Sequence, residues 1–164
     1  MKTILSILTL ILSATAGAQS FQASVSGSAT VYAIQSLTLT GGSIIPNFTS
    51  FEHYLNGVEV KGYLNIGVKS NKAWTLSVKA QNAHFSPMSA GGSTNMPSSV
   101  LSVKPSTSSD YKTISTTSQT IKTGNKGDTN ASGNAFQLDI RYNPGFSYKG
   151  GIYTLGLIYT LSQQ

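Results

Sequence analysis

Apolar and polar side chains alternate one for one along most of this chain. Residues 73–80 put Trp74, Leu76, Val78 and Ala80 on one side and Thr75, Ser77 and Lys79 on the other. Residues 136–142 set Phe136, Leu138, Ile140 and Tyr142 against Gln137, Asp139 and Arg141. Residues 152–161 put Tyr153, Leu155, Leu157, Tyr159 and Leu161 on one face, and residues 63–69 contribute Leu64, Ile66 and Val68. A period of two makes strands with one buried and one wet face, which is the pattern of antiparallel sheet. The pattern predicts strands over 21–27, 30–40, 60–69, 73–81, 99–104, 111–115, 118–122, 135–142 and 151–161.

Turn chemistry separates these runs: Gly41-Gly42, Asn56-Gly57, Ser70-Asn71, Gly91-Gly92, residues 124–127, Ser132-Gly133-Asn134 and Asn143-Pro144-Gly145. About seven to nine short antiparallel strands so punctuated predict an all-β fold, an immunoglobulin-like β-sandwich, with an up-and-down barrel as the alternative. No helix is expected. Residues 43–57, with Pro46, Phe48, Phe51, Tyr54 and Leu55, read as a loop or short irregular strand. Residues 86–98 and 124–134 read as surface loops.

Residues 1–20 break the alternation. Lys2 is followed by an apolar run over 4–12 and by Ala16-Gly17-Ala18, a small-residue cleavage site. This is the form of a secretory signal peptide, and the run is shorter than the roughly 20 residues a bilayer span needs. Residues 1–18 are expected to be removed. That leaves one domain over 19–164, secreted or at the cell surface, with no membrane span.

Composition narrows the class further. The 164 residues suit one domain, only 10% are charged, and there is no cysteine. A helical bundle, a disulfide scaffold and a thiolate metal site are all excluded. The formal charge is +6, carried by dispersed lysines and a single arginine without any clustered run. Nucleic-acid binding is therefore not expected, while weak attraction to acidic envelopes or polysaccharides is.

Catalytic groups are scarce. The carboxylates are Glu52, Glu59, Asp110, Asp128 and Asp139, and the imidazoles are His53 and His84. Glu52 and His53, adjacent in a strand, would point to opposite faces. Asp139 reads as a solvated carboxylate near Arg141 on the outer face of its strand. Asp128-Thr129-Asn130 offers too few oxygens for a calcium loop. Asn47-Phe48-Thr49 and Asn130-Ala131-Ser132 are glycosylation sequons. No G-x-S-x-G elbow is present. A non-catalytic protein without metal or cofactor is expected.

The ends of the chain suggest assembly. Residues 19–39 and 150–164 contain neither charge nor proline, and uncharged edge strands invite pairing with other chains. Phe21, Ala23, Val25, Gly27 and Ala29 form a candidate strand-donating segment, residues 19–29 acting as an extension strand. The other reading is that both terminal strands are satisfied within one domain. Tyr63, Tyr111, Phe146 and Tyr148 are candidate glycan contacts, with packing as their plainer role.

The alternating N-terminal segment with its glycine, the absence of cysteine and the glycine-led Gly150-Gly151-Ile152-Tyr153-Thr154-Leu155 resemble fimbrial, pilin-like subunits without disulfides. The segment SNKAWTLSVKA, with Trp74-Thr75-Leu76, and the passage NPGFSYKGGIYTLGLIYTLS also resemble small exported WxL-like surface β-domains. Trp74 is the sole tryptophan, so the second triplet of wall-binding WxL domains has no counterpart. The resemblances imply a fimbria-like structural or adhesive subunit. It would self-associate by strand pairing or join other surface subunits. The alternative is a monomeric secreted module that binds cell-wall or glycan polymer.

Overall fold

The computed structural model describes residues 28–42 and 46–164. Residues 28–31 belong to an N-terminal unit separate from residues 32–164; they are exposed and carry no regular structure. The rest of the account concerns the second unit.

Among the described residues ten strands form antiparallel sheets. In chain order they are β1 (Gln35–Gly41), β2 (Val58–Ser70), β3 (Trp74–Ala80), β4 (Ser86–Pro87), β5 (Leu101–Pro105), β6 (Lys112–Thr113), β7 (Gln119–Gly124), β8 (Ala135–Tyr142), β9 (Tyr153–Thr154) and β10 (Leu157–Gln163). One sheet has the order β1-β2-β8-β5-β6, a second β10-β3-β7, and β4 pairs with β9. The first two share one apolar core. Leu64, Ile66 and Val68 of β2, Leu101 and Val103 of β5, and Leu138 and Ile140 of β8 come from the larger sheet. Trp74, Leu76, Val78 and Ala80 of β3 and Ile121 of β7 come from the smaller. In β2, β3 and β8 these are the inward positions that the alternation assigns, although Asp139, on the opposite side of β8, is buried as well.

Where the structure departs from the alternation, a local cause is visible. The strand expected over 30–40 begins only at Gln35. Before it, Asn71 stands in for a ladder partner: its Oδ1 accepts from Ile34 N–H at 2.9 Å and its Nδ2 donates to the Tyr32 carbonyl at 2.7 Å. The run 151–161 is two strands, divided around Gly156. A Cβ there would collide with the Gln81 side chain, and Gln81 N–H donates to the Gly156 carbonyl at 2.8 Å. The chain leaves β4 at this break and joins β3.

Residues 43–57 do contain a helix, α1 (Phe51–Asn56), contrary to expectation. Ser50 caps it, its Oγ accepting from His53 N–H at 3.4 Å, and Gly57 ends it at φ 77°. No α1 residue is buried, so there was no apolar stripe to betray it. Residues 86–98 are likewise more than a surface loop. They hold β4, Met96 is buried, and Phe85 N–H donates to the Met96 carbonyl at 2.8 Å. A 3-10 turn follows at Ser98–Val100.

Loop 124–134 is anchored by fully buried Asn134. Its Oδ1 accepts from Trp74 Nε1 at 3.1 Å, and its Nδ2 donates to the Asp128 carbonyl at 3.0 Å. Gly124 is obligatory, since a Cβ would strike the Trp74 ring.

Candidate functional site

Sheet edges come first. β6 and β7, at one edge of each large sheet, carry Lys112 and Lys122. β1 and β10, at the opposite edges, carry no charge. Lysine is a common edge protector, and these two edges lack it. They approach each other through side chains. Gln35 Nε2 donates to the Leu161 carbonyl and Gln163 Nε2 to the Ile34 carbonyl, each at 3.1 Å. Their ladders remain separate, β1 bonding to β2 and β10 to β3.

The inward face of β10 is incompletely covered. Leu157, Tyr159 and Leu161 oppose Ala80, Val78 and Leu76 of β3. The β3 residues are 2%, 1% and 0% exposed, while the β10 residues are only half-buried. A cleft of about 220 Å³ runs beneath, reaching Leu101 and Ile140 of the core and bounded by Tyr63, Leu155 and Leu157. Three tyrosines gather around this region. Burial raises the pKa of Tyr63; burial, then the neighbouring Tyr63, pushes Tyr142 up to about 12. Tyr159 is raised further by burial and by Tyr63 and Tyr142. The Tyr63 hydroxyl donates to the Gly42 carbonyl, whereas the buried Tyr159 hydroxyl has no partner among the described residues. All three stay neutral near pH 7 and do not act as bases there.

A larger cleft of about 390 Å³ shares Pro46, Phe85, Tyr142 and Tyr153 with the first. Tyr148 lines it, and Phe146 stacks on its wall residue Tyr54 at 5.3 Å between centroids. Of the four aromatic candidates, then, Tyr63 and Tyr148 line connected clefts and Phe146 adjoins them. Tyr111 lies elsewhere, with the Lys104 ammonium 5.0 Å from its ring centroid.

Asp139 corrects the sequence reading. It is 3% exposed, not solvated, and Arg141 turns away to donate to the Asn56 carbonyl at 2.7 Å. The cause is a bulge in β2. Between the pairs Val60↔Ile140 and Leu64↔Leu138, β2 carries three residues against the single Asp139. Gly62, at φ 60° in the bulge, donates its N–H to Asp139 Oδ1 at 2.9 Å; Ser106 Oγ donates to the same oxygen at 2.5 Å. Lys104 Nζ lies 3.5 Å from Oδ2 and 4.0 Å from Glu59 Oε1. Burial alone would raise the Asp139 pKa, but Ser106, Gly62 and Lys104 together outweigh it and hold the carboxyl below its usual range. Burial, followed by the neighbouring Glu59 carboxylate, raises Tyr111, although no hydrogen bond closes between the two. The cluster is a fully engaged ion pair that ties β2, β5 and β8 together. Gly62, one of two glycines interior to β2, was a sequence signal for it.

Glu52, His53 and Asp128 serve local structure. Glu52 Oε2 accepts from Asn56 Nδ2 at 2.6 Å within α1, so Glu52 and His53 sit on a helix and not on a strand. His53 Nδ1 accepts from Thr49 N–H at 3.2 Å. Asp128 Oδ1 accepts from Asn130 N–H at 2.9 Å, an Asx turn. Among the described residues no three His, Cys, Asp or Glu side chains converge, and no helix is long and apolar enough to cross a membrane.

In the candidate donor segment, Phe21, Ala23, Val25 and Gly27 lie outside the described residues, and Ala29 is exposed. Compared with known proteins, the sequence matches no protein-family model and no curated protein.

Proposed function

We propose that this chain is an exported, non-catalytic cell-surface subunit of a fimbria-like assembly, built as an immunoglobulin-like β-sandwich and joined to its neighbours by strand pairing. The observation that carries this reading is the half-covered inward face of β10 beside the uncharged edge of β1. The proposed occupant is residues 21–31 of a second copy. That segment alternates Phe21, Ala23, Val25, Gly27, Ala29 and Val31, carries no charge, and is long enough to run the seven residues of β10. Added there, it would place its apolar side chains over the cleft beneath Leu155 and Leu157 while its backbone satisfied an open edge.

Electron microscopy and sedimentation of the mature chain, residues 19–164, test the reading. The mature chain is expected to form oligomers or fibres. Deletion of residues 19–31 is expected to leave monomers that bind a synthetic peptide of that sequence, and Leu157→Asp to abolish the binding. A mature chain that stays monomeric at high concentration, or assembles equally well after the deletion, overturns it.

A further inference from the structure

The end of the molecule around the larger cleft exposes more aromatic surface than packing calls for. Phe51 is 79% and Phe146 58% exposed. The rings still form a ladder: Phe51 to Phe146 is 6.1 Å between centroids, Phe146 to Tyr54 5.3 Å, and Tyr54 to Phe48 5.4 Å. The cleft beside them is held open by hydrogen bonds within its own walls. The Tyr153 hydroxyl accepts from Ser93 N–H at 3.0 Å and donates to the Lys149 carbonyl at 2.6 Å. Met88 N–H donates to the Ile152 carbonyl at 2.8 Å, and Lys149 N–H to Ser93 Oγ at 3.0 Å. A preformed concavity of about 390 Å³ is of the size that holds small molecules.

Its lining narrows the ligand. Lys149 is the one charged residue among those described there. Without a carboxylate the cleft has no counter-charge for a cation, and with a single lysine and no arginine it lacks the charged fork that grips a phosphate. Ring faces alternate instead with neutral polar groups. Asn47, Thr49 and Tyr148 line it, and among the described residues their side chains make no hydrogen bond. A sugar offers the matching surfaces: C–H faces that rest on the electron-rich face of a ring, and hydroxyls around the rim. Gly150 adds a further sign. A Cβ there would meet nothing within 4 Å, and its backbone lies outside the left-handed region. Neither packing nor conformation requires glycine at this position; its small size leaves the mouth clear.

The geometry points to a saccharide site in this cleft, taking one sugar unit with its face on Tyr148 and its hydroxyls toward Asn47 and Thr49. The inference is independent of strand exchange, because none of these residues belongs to β1 or β10.

The test is binding of the mature chain to an array of defined oligosaccharides covering neutral hexoses, amino sugars and uronic acids, with titration calorimetry of each hit. At least one class is expected to bind. Gly150→Leu, which plugs the mouth, and Tyr148→Ala, which removes a platform, are each expected to raise Kd at least about tenfold with an unchanged circular dichroism spectrum. Lys149→Ala is expected to weaken uronic acids selectively. Silence across the array, or a hit that Gly150→Leu binds as tightly as the wild type, overturns the inference. Fibre formation by Gly150→Leu, followed by microscopy, reports on assembly separately.

Discussion

Asp139 shows how far a side chain's fate depends on its neighbour's geometry. Simple alternation turns it outward, and outward it does turn, yet the β2 bulge, the Ser106 hydroxyl and Lys104 cover it. Removing one partner of a covered ion pair strands the other, so Asp139→Ala should cost about 3 kcal/mol, read from urea unfolding. The pH dependence follows from the sign of the shift. The folded pKa is depressed, so the carboxylate's contribution is complete above its ordinary pKa of about 3.8 and disappears as pH falls through the lower folded value. Stability of the wild type should therefore fall on acidification below about pH 4, and more steeply than that of Asp139→Asn, measured as Tm against pH. A Tm profile identical in the two proteins would contradict the assignment.

Elements were legible in proportion to how far burial enforced a period. β2, β3 and β8 pass through the core, and their alternation marks them within a residue or two. α1 buries nothing, so its only trace was Ser50 ahead of it and Asn56-Gly57 behind. With so little packing to support it, the helix should depend on its cap. Ser50→Ala should cost about 1 kcal/mol and show first as faster amide exchange across 51–56, while exchange in β3 is unchanged. β4 and β9 are two residues each and exist through their mutual pairing, information that no local window contains. The clefts were partly legible for the same reason: Tyr63 and Tyr148 were conspicuous as aromatics, whereas Phe85 and Met96, the floor of the larger cleft, come from a stretch without periodicity.

On the scale of the molecule, charge is unevenly placed across the sheet margins. Lys112 and Lys122 guard β6 and β7, and the opposite margins, β1 and β10, are bare. Association through the bare margins would bury apolar surface and close backbone hydrogen bonds, with few charges to screen. Its concentration dependence should then change by less than about twofold between 0.05 and 0.5 M salt, followed by light scattering; association through the lysine-bearing margins would respond far more strongly. Sequence revealed that the ends are uncharged, but strand order decides which strands become margins, and strand order depends on contacts between residues far apart in the chain.

The two ladders at the bare margins share a further property. β1 matches β2, and β10 matches β3, over seven consecutive pairs without interruption, while the irregularities lie in other ladders, between β2 and β8 and between β3 and β7. A guest strand laid on so regular a rim meets no landmark to stop it sliding. A slip of one residue would turn every greasy side chain to water and be rejected, but a slip of two restores the phase. Misaligned joints would thus come in steps of two residues, and only differences in side-chain bulk, Phe21 against Ala23 or Gly27, would select among them.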